Sequence, residues 1–209
     1  HENEIAQSES TSGKKFVNYW IEGEHLLVNK QKMAKSLQNF YTIKDIKKKN
    51  FLPLALRYLM IGAHYRSKLN FTWESLKTAQ NSYKRLKNII SEIKDDKKIN
   101  KEYLEEFKNN INNDLNTPQA LSVLWNLIRD KKANGKYKTI KKIDEIFSLD
   151  LFKEEKTEIP QEIKNLVEKR EQARKNKNFD QADQLRKKIE EKGFNIKDTS
   201  NGIKVSTKY

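Results

Sequence analysis

The sequence contains no cysteine. A disulfide framework is therefore excluded, and a reducing compartment is compatible with the chain. Glycine and proline are scarce, at six and three residues in 209, so turns are few and long helices are expected. No apolar run approaches the roughly 20 residues of a membrane span, which excludes a transmembrane helix. The first residues, His1-Glu2-Asn3-Glu4, are neither a signal peptide nor an initiator methionine, and the chain is expected to begin inside a longer protein. Only 35% of the residues are hydrophobic and the mean hydropathy is -0.96, low for one compact globule. Aromatic residues at 10%, with three tryptophans, nevertheless exclude a disordered chain.

What is abundant is positive charge. The formal net charge is +14 and the pI about 9.6. That balance favours a polyanionic partner, of which nucleic acid is the commonest for a soluble protein. Lysine-rich helix faces in contact with solvent would give the same composition.

The first twelve residues read as the end of a helix closed by Gly13. Phe16 to Val28 reads as a strand region. Thr42 and Asp45 have capping-box spacing and open a short basic helix through Lys49. Pro53 can begin another helix, which Leu54, Leu56, Leu59 and Met60 make too apolar to be exposed. From Thr72, apolar residues Leu76, Ala79, Tyr83, Leu86, Ile90 and Ile93 recur every three or four positions, the stripe of a long packed helix. Asp95 to Lys98 breaks the pattern. A helix with Leu104, Phe107 and Ile111 follows. Another is N-capped by Thr117, carries Leu121, Leu124 and Ile128, and is ended by Gly135. A fourth carries Ile140, Ile143 and Phe147. Asp150 to Ile159 reads as a linker. Beyond Pro160, Ile163, Leu166, Arg170 and Ala173 mark one helix and Ala182, Leu185 and Ile189 a second, joined at Asn178-Phe179-Asp180 and closed by Gly193. Asn201-Gly202 between two alternating runs predicts a β-hairpin.

Against this background Lys32-Met33-Ala34-Lys35-Ser36 stands out. Two lysines three apart in a loop between a strand-like run and a helix offer mobile ammonium groups to a phosphate ligand. In so basic a chain the same pair is also consistent with solvated surface. Among other single residues, His25 and His64 read as packed or hydrogen-bonded groups, and Trp73 and Trp125 as core or core-edge residues. Lys47-Lys48-Lys49 and Arg186-Lys187-Lys188 suit phosphate contacts and solvated surface equally. Arg170 and Arg174, four apart, would make a better phosphate fork.

His1-Glu2-Asn3-Glu4-Ile5-Ala6-Gln7-Ser8-Glu9, Val17-Asn18-Tyr19-Trp20, Lys32 to Ser36 followed by Leu37 and Asn39-Phe40, Ala63-His64-Tyr65-Arg66-Ser67 with Leu69-Asn70-Phe71 after it, Asp114 to Ala120 and the helical hairpin from Arg170 through Gly193 occur in that order. Together they resemble the C-terminal portion of bacterial cysteinyl-tRNA synthetases, which are class I aminoacyl-tRNA synthetases. The resemblance implies a mainly α chain in three parts. Residues 1–70 would be the end of a class I Rossmann-type catalytic domain, with the second signature loop of the class. Residues 71–150 would be a helical bundle that binds tRNA. Residues 160–209 would be a small anticodon-recognition domain, a helical hairpin plus β-hairpin.

The function so implied is ATP-dependent activation of cysteine and its transfer to tRNA-Cys. Lys35 would contact the triphosphate of ATP with Lys32 in support, both as catalytic residues, and Met33, Ala34 and Ser36 would complete the ATP loop. Mg2+ would accompany ATP. Ala34 replaces the serine usual in the family, so a hydroxyl is lost while both cations remain. The family's Zn2+ site uses two cysteines, a histidine and a glutamate. Glu4 matches the glutamate, the histidine would precede His1, and both cysteines are absent. The chain alone is therefore expected to be inactive, with the N-terminal catalytic portion as its partner in a monomeric cytoplasmic enzyme. A non-catalytic RNA-binding helical module and a purely structural bundle are the alternatives. The lysine loop and the His-Glu-Asn-Glu start discriminate, because neither alternative needs them.

Overall fold

The computed structural model describes residues 1–153, 160–199 and 202–207. It forms two compact units, His1–Phe152 and Lys153–Tyr209.

The first unit opens with helix α1 (Glu2–Ser12), closed by Gly13 at φ 63°. The expected strand from Phe16 shrinks to β1 (Leu26–Val28). Tyr19 is 89% exposed and Phe16, Trp20 and Ile21 are also exposed. A strand needs a neighbour to take its backbone groups, and residues 17–23 find none among the described residues. The resemblance's strand at Val17 to Trp20 is corrected for the same reason. Asn29 and Lys30, with φ of 49° and 66°, turn β1 back into β2 (Gln31–Lys32), which pairs with it antiparallel. Both positive φ values match the turn that suits a two-residue hairpin. Strand β3 (Leu69–Phe71) pairs parallel with β1, giving the order β2-β1-β3.

The crossover from β2 to β3 contains α2 (Ile43–Lys48) and α3 (Pro53–Ile61). Thr42 and Asp45 form the expected reciprocal capping box, and Pro53 lies in the first turn of α3. Val28, Ile46, Ala55, Phe71 and Leu76 build a small core beneath the sheet. Leu76 belongs to α4 (Trp73–Ser91), so the long helix ties this core to the helices that follow.

Those helices are α5 (Lys101–Asn112), α6 (Thr117–Arg129) and α7 (Lys136–Phe147). Apart from Leu76 and the half-buried Leu104, the apolar stripes of α4 to α7 face one large core, with Tyr83, Leu86, Leu124, Leu127, Ile140 and Ile143 fully buried. Trp125 lies at its edge. Two boundaries move. The N-cap of α6 is Asn116 rather than Thr117, because the Asn116 Oδ1 accepts the Gln119 N–H at 3.2 Å. Gly135 does not end α6, which stops at Arg129, but N-caps α7 at φ 68°. A Cβ there would lie 2.5 Å from the Asn100 nitrogen. The linker also starts later than Asp150. Leu149 and Leu151 are buried, and the Asp144 carboxylate accepts both of their N–H groups at 2.8 Å. Residues 154–159 of that stretch lie outside the described residues.

In the second unit, α8 (Gln161–Lys175) and α9 (Phe179–Glu191) pack as a hairpin N-capped at Asn178, and Gly193 follows at φ 84°. Strands β4 (Phe194–Thr199) and β5 (Gly202–Thr207) pair antiparallel. Gly202 pairs with Thr199, so it belongs to β5 and not to the turn, while Asn201 lies outside the described residues. Ile163, Ile189 and Ile196 form the core of this unit.

Candidate nucleotide-binding site

Lys32 ends β2, and Lys35 begins a 3₁₀ turn over Lys35–Leu37. Between them Met33 packs partly buried against the sheet core and anchors the loop. The side chain of Asn39 fixes its shape. Its Oδ1 accepts the Ala34 N–H at 2.8 Å and its Nδ2 donates to the Lys32 carbonyl at 3.0 Å. One amide thus staples the backbone on both sides of Met33. Ala34 is the N-cap of the 3₁₀ turn and its methyl group supplies no capping bond. A serine there would offer an oxygen to the free N–H groups of that turn, so the alanine leaves the loop less tightly held.

The loop sits firmly on the sheet. The Asn70 side chain of β3 accepts the Lys30 N–H at 2.7 Å, and the Phe71 carbonyl accepts the Asn29 N–H at 3.1 Å. Lys32, Lys35 and Ser36 are exposed. Neither lysine is in an ion pair among the described residues. The Lys35 ammonium lies 5.9 Å from the centre of the Phe40 ring, a weak cation–π contact that leaves its donors free. Two unpaired cations on a stapled loop can receive a multiply charged anion without first breaking a salt bridge.

A second constellation joins the sheet to the helices. Asp114, in the loop between α5 and α6, accepts the Tyr65 hydroxyl at 2.5 Å and the Arg66 Nε at 2.7 Å. These donors hold its carboxyl below the usual range. The His64 Nδ1 accepts the Arg66 N–H at 3.3 Å, and its Nε2 donates to the Asp114 carbonyl at 2.9 Å, which assigns the tautomer. The Tyr65 carbonyl accepts the Glu24 N–H at 2.8 Å, just before β1. His64 therefore orients a junction through hydrogen bonds. His25 is exposed.

The remaining site residues lie elsewhere. Glu4 is exposed on α1, and its carboxylate is 3.8 Å from His1, which stacks on Trp20. No group of three metal-ligating side chains occurs among the described residues. Arg170 and Arg174 do not form an open phosphate fork. Arg170 is 4% exposed and makes two bonds to the Asp198 carboxylate, at 3.0 and 2.9 Å, and Arg174 bonds the same carboxylate. The i,i+4 spacing was legible, but the acceptor arrives from β4, 28 residues along the chain from Arg170. Asn39 and Asp114 carry structural roles that lysine spacing does not reveal. Their signal is a short polar side chain beside a loop, which readily bonds nearby backbone.

Three family models match consecutive parts of the chain. They are the tRNA synthetases class I (C) catalytic domain at residues 1–81, the DALR domain at 106–152 and the cysteinyl-tRNA ligase anticodon binding domain at 156–205. In all three segments the chain is similar to cysteinyl-tRNA ligases. A cysteine–tRNA ligase of Chlamydia muridarum is 40% identical over 98% of this chain and 49% of its own length. One of Brachyspira hyodysenteriae is 37% identical over 98% of this chain and 48% of its own length. The chain thus spans about half the length of the curated relatives it matches. The class I catalytic match contains the whole lysine loop and reaches into α4.

Proposed function

We propose that this chain contributes the ATP-binding lysine loop and the tRNA-binding helical units of a cysteine–tRNA ligase. The observation that carries the reading is the stapled loop with two unpaired ammonium groups, lying inside a match to a class I catalytic domain. Activation begins when a cysteine carboxylate oxygen attacks the α-phosphorus of ATP. The bond to the β-phosphate oxygen breaks, and charge builds on the departing pyrophosphate. Lys35 meets that charge and Lys32 supports it, while Met33, Ala34 and Ser36 carry the backbone that sets their spacing. A terminal ribose hydroxyl of tRNA-Cys then attacks the acyl carbon, and AMP leaves. Mg2+ bound with ATP would neutralise phosphate charge alongside the lysines.

Zinc does not fit the residues present. A Glu4 carboxylate beside His1 cannot complete a four-coordinate site whose soft ligands are thiolates in a chain without cysteine. No step is assigned to it. Residues 1–70 serve the nucleotide, 71–150 the body of the tRNA and 160–209 the anticodon. A monomeric cytoplasmic enzyme is consistent with this reading, and no helix among the described residues is long and apolar enough to cross a membrane.

Two measurements test the proposal. The chain should bind a tRNA-Cys transcript more tightly than the same transcript with its anticodon replaced, and equal affinity contradicts the assignment. Cysteine-dependent ATP–pyrophosphate exchange by this chain alone should be absent, and its presence would overturn the division of the ATP site.

A further inference from the structure

The seven arginines of this chain are few beside its lysines, in a total of 43 basic residues. Arginine offers a planar fork that lysine lacks, so the acceptor of each fork is informative. Five have their acceptor within the protein. Arg57 donates to the Phe147 carbonyl, Arg66 to Asp114, Arg170 and Arg174 to Asp198, and Arg186 to Glu190. The other two, Arg85 on α4 and Arg129 at the end of α6, have none among the described residues. Instead both guanidinium groups lie over the ring of Trp125, at 6.0 and 5.1 Å from its centre.

The indole is itself fixed. Its Nε1 donates to the Tyr58 hydroxyl at 2.9 Å, and its ring packs partly buried against the core. Both arginines are exposed. Two like charges no more than about 11 Å apart, near the screening length at cell ionic strength, gain from a shared counter-ion. The ring contact restrains each guanidinium, and with no acceptor among the described residues its N–H groups remain available to a ligand. The occupied ring face also makes a base-stacking role for Trp125 a poor fit, which leaves an anion as the ligand.

We propose that Arg85 and Arg129, held on Trp125, form a clamp for the phosphate backbone of tRNA on the bundle. This rests on the ligase reading above, which supplies the polyanion. The clamp reads charge and spacing, not sequence. It contributes affinity common to all tRNAs and adds nothing to anticodon discrimination.

The test uses the whole chain and a tRNA-Cys transcript, comparing Arg85→Gln/Arg129→Gln with a control pair, Lys141→Gln/Lys142→Gln. The control residues are exposed on α7, and the control loses the same charge. The arginine pair should weaken binding about tenfold or more at 150 mM salt and lower the slope of log affinity against log salt by about 1–2. The control should weaken binding less than about threefold, with the melting temperature of both variants within about 2 °C of the unsubstituted chain. Preference for the native anticodon should survive in the arginine variant. Equal losses in the two pairs, or no loss in the arginine pair, would overturn the clamp while leaving the ligase reading intact. Failure of the unsubstituted chain to bind the transcript at low salt would overturn both.

Discussion

Asn39→Ala tests how the lysine loop is held. The substitution removes the acceptor of the Ala34 N–H and the donor to the Lys32 carbonyl, two bonds of 2.8 and 3.0 Å. An intramolecular hydrogen bond contributes about 0.5–1.5 kcal/mol net, and a partly buried donor left alone costs more than an exposed one. Opening the loop should therefore become easier by about 1–2 kcal/mol, a factor of about 5–30 in the open population. The Ala34 amide reports this directly by hydrogen exchange, which should quicken by that factor. Amides of the helical core, such as Leu86 and Leu124, should not change, because the loop lies outside that core. Asn39→Asp separates the two bonds, since a carboxylate can accept from Ala34 but cannot donate to Lys32. It should keep the Ala34 amide protected. Unchanged exchange at Ala34 in the alanine variant would refute the staple, and faster exchange throughout the unit would show that Asn39 supports the fold and not the loop.

Two further substitutions probe the frame around the site. Gly135→Ala forces a side chain into a position with φ 68° and a Cβ 2.5 Å from the Asn100 nitrogen, so it should cost about 2 kcal/mol or more. The first unit should melt about 4–8 °C lower by calorimetry, and an unchanged transition would contradict the close approach. Asp198→Ala leaves the buried Arg170 without its partner and should unfold the small second unit, seen as rapid proteolysis within α8 and α9 while α4 to α7 persist. In the unsubstituted chain, Arg170 and Arg174 pull the Asp198 carboxyl down to about 2. Its folded-state value is depressed, so its stabilisation is complete above the ordinary carboxylate value of about 3.9 and is lost as pH falls toward 2. Amide signals of β4 and α8 should fade across that window, and loss above pH 5 would contradict the pairing.

Much of this architecture could be read from spacing. The stripe from Leu76 to Ile90, the Thr42–Asp45 capping box and the Asn178 hairpin depend on residues near one another in sequence, where helical periodicity and capping chemistry leave little choice. Ile93, at the end of that stripe, is only partly buried and lies beyond α4. The failures have a common cause. Val17 to Ile21 has strand composition but no neighbour among the described residues, and a strand is defined by its partner. Arg170 and Arg174 have the spacing of an open fork, but β4 supplies a carboxylate that closes it. Gly135 looked like a stop because glycine commonly follows a helix, whereas contact with Asn100 requires glycine before the next one. At the site, lysine spacing singled out Lys32 and Lys35. Asn39, which arranges them, contributes through backbone bonds that spacing does not encode.

The central claim is that the loop from Lys32 to Ser36 is part of an ATP site. It is tested most directly by titrating ATP with Mg2+ into the isotopically labelled chain and following backbone amide shifts. Saturable shifts should concentrate on residues 30–40 and disappear in Lys32→Gln/Lys35→Gln, while the exposed lysines of α7 remain still. Shifts spread evenly over the basic surface, or a loop response that survives loss of both lysines, would contradict the claim.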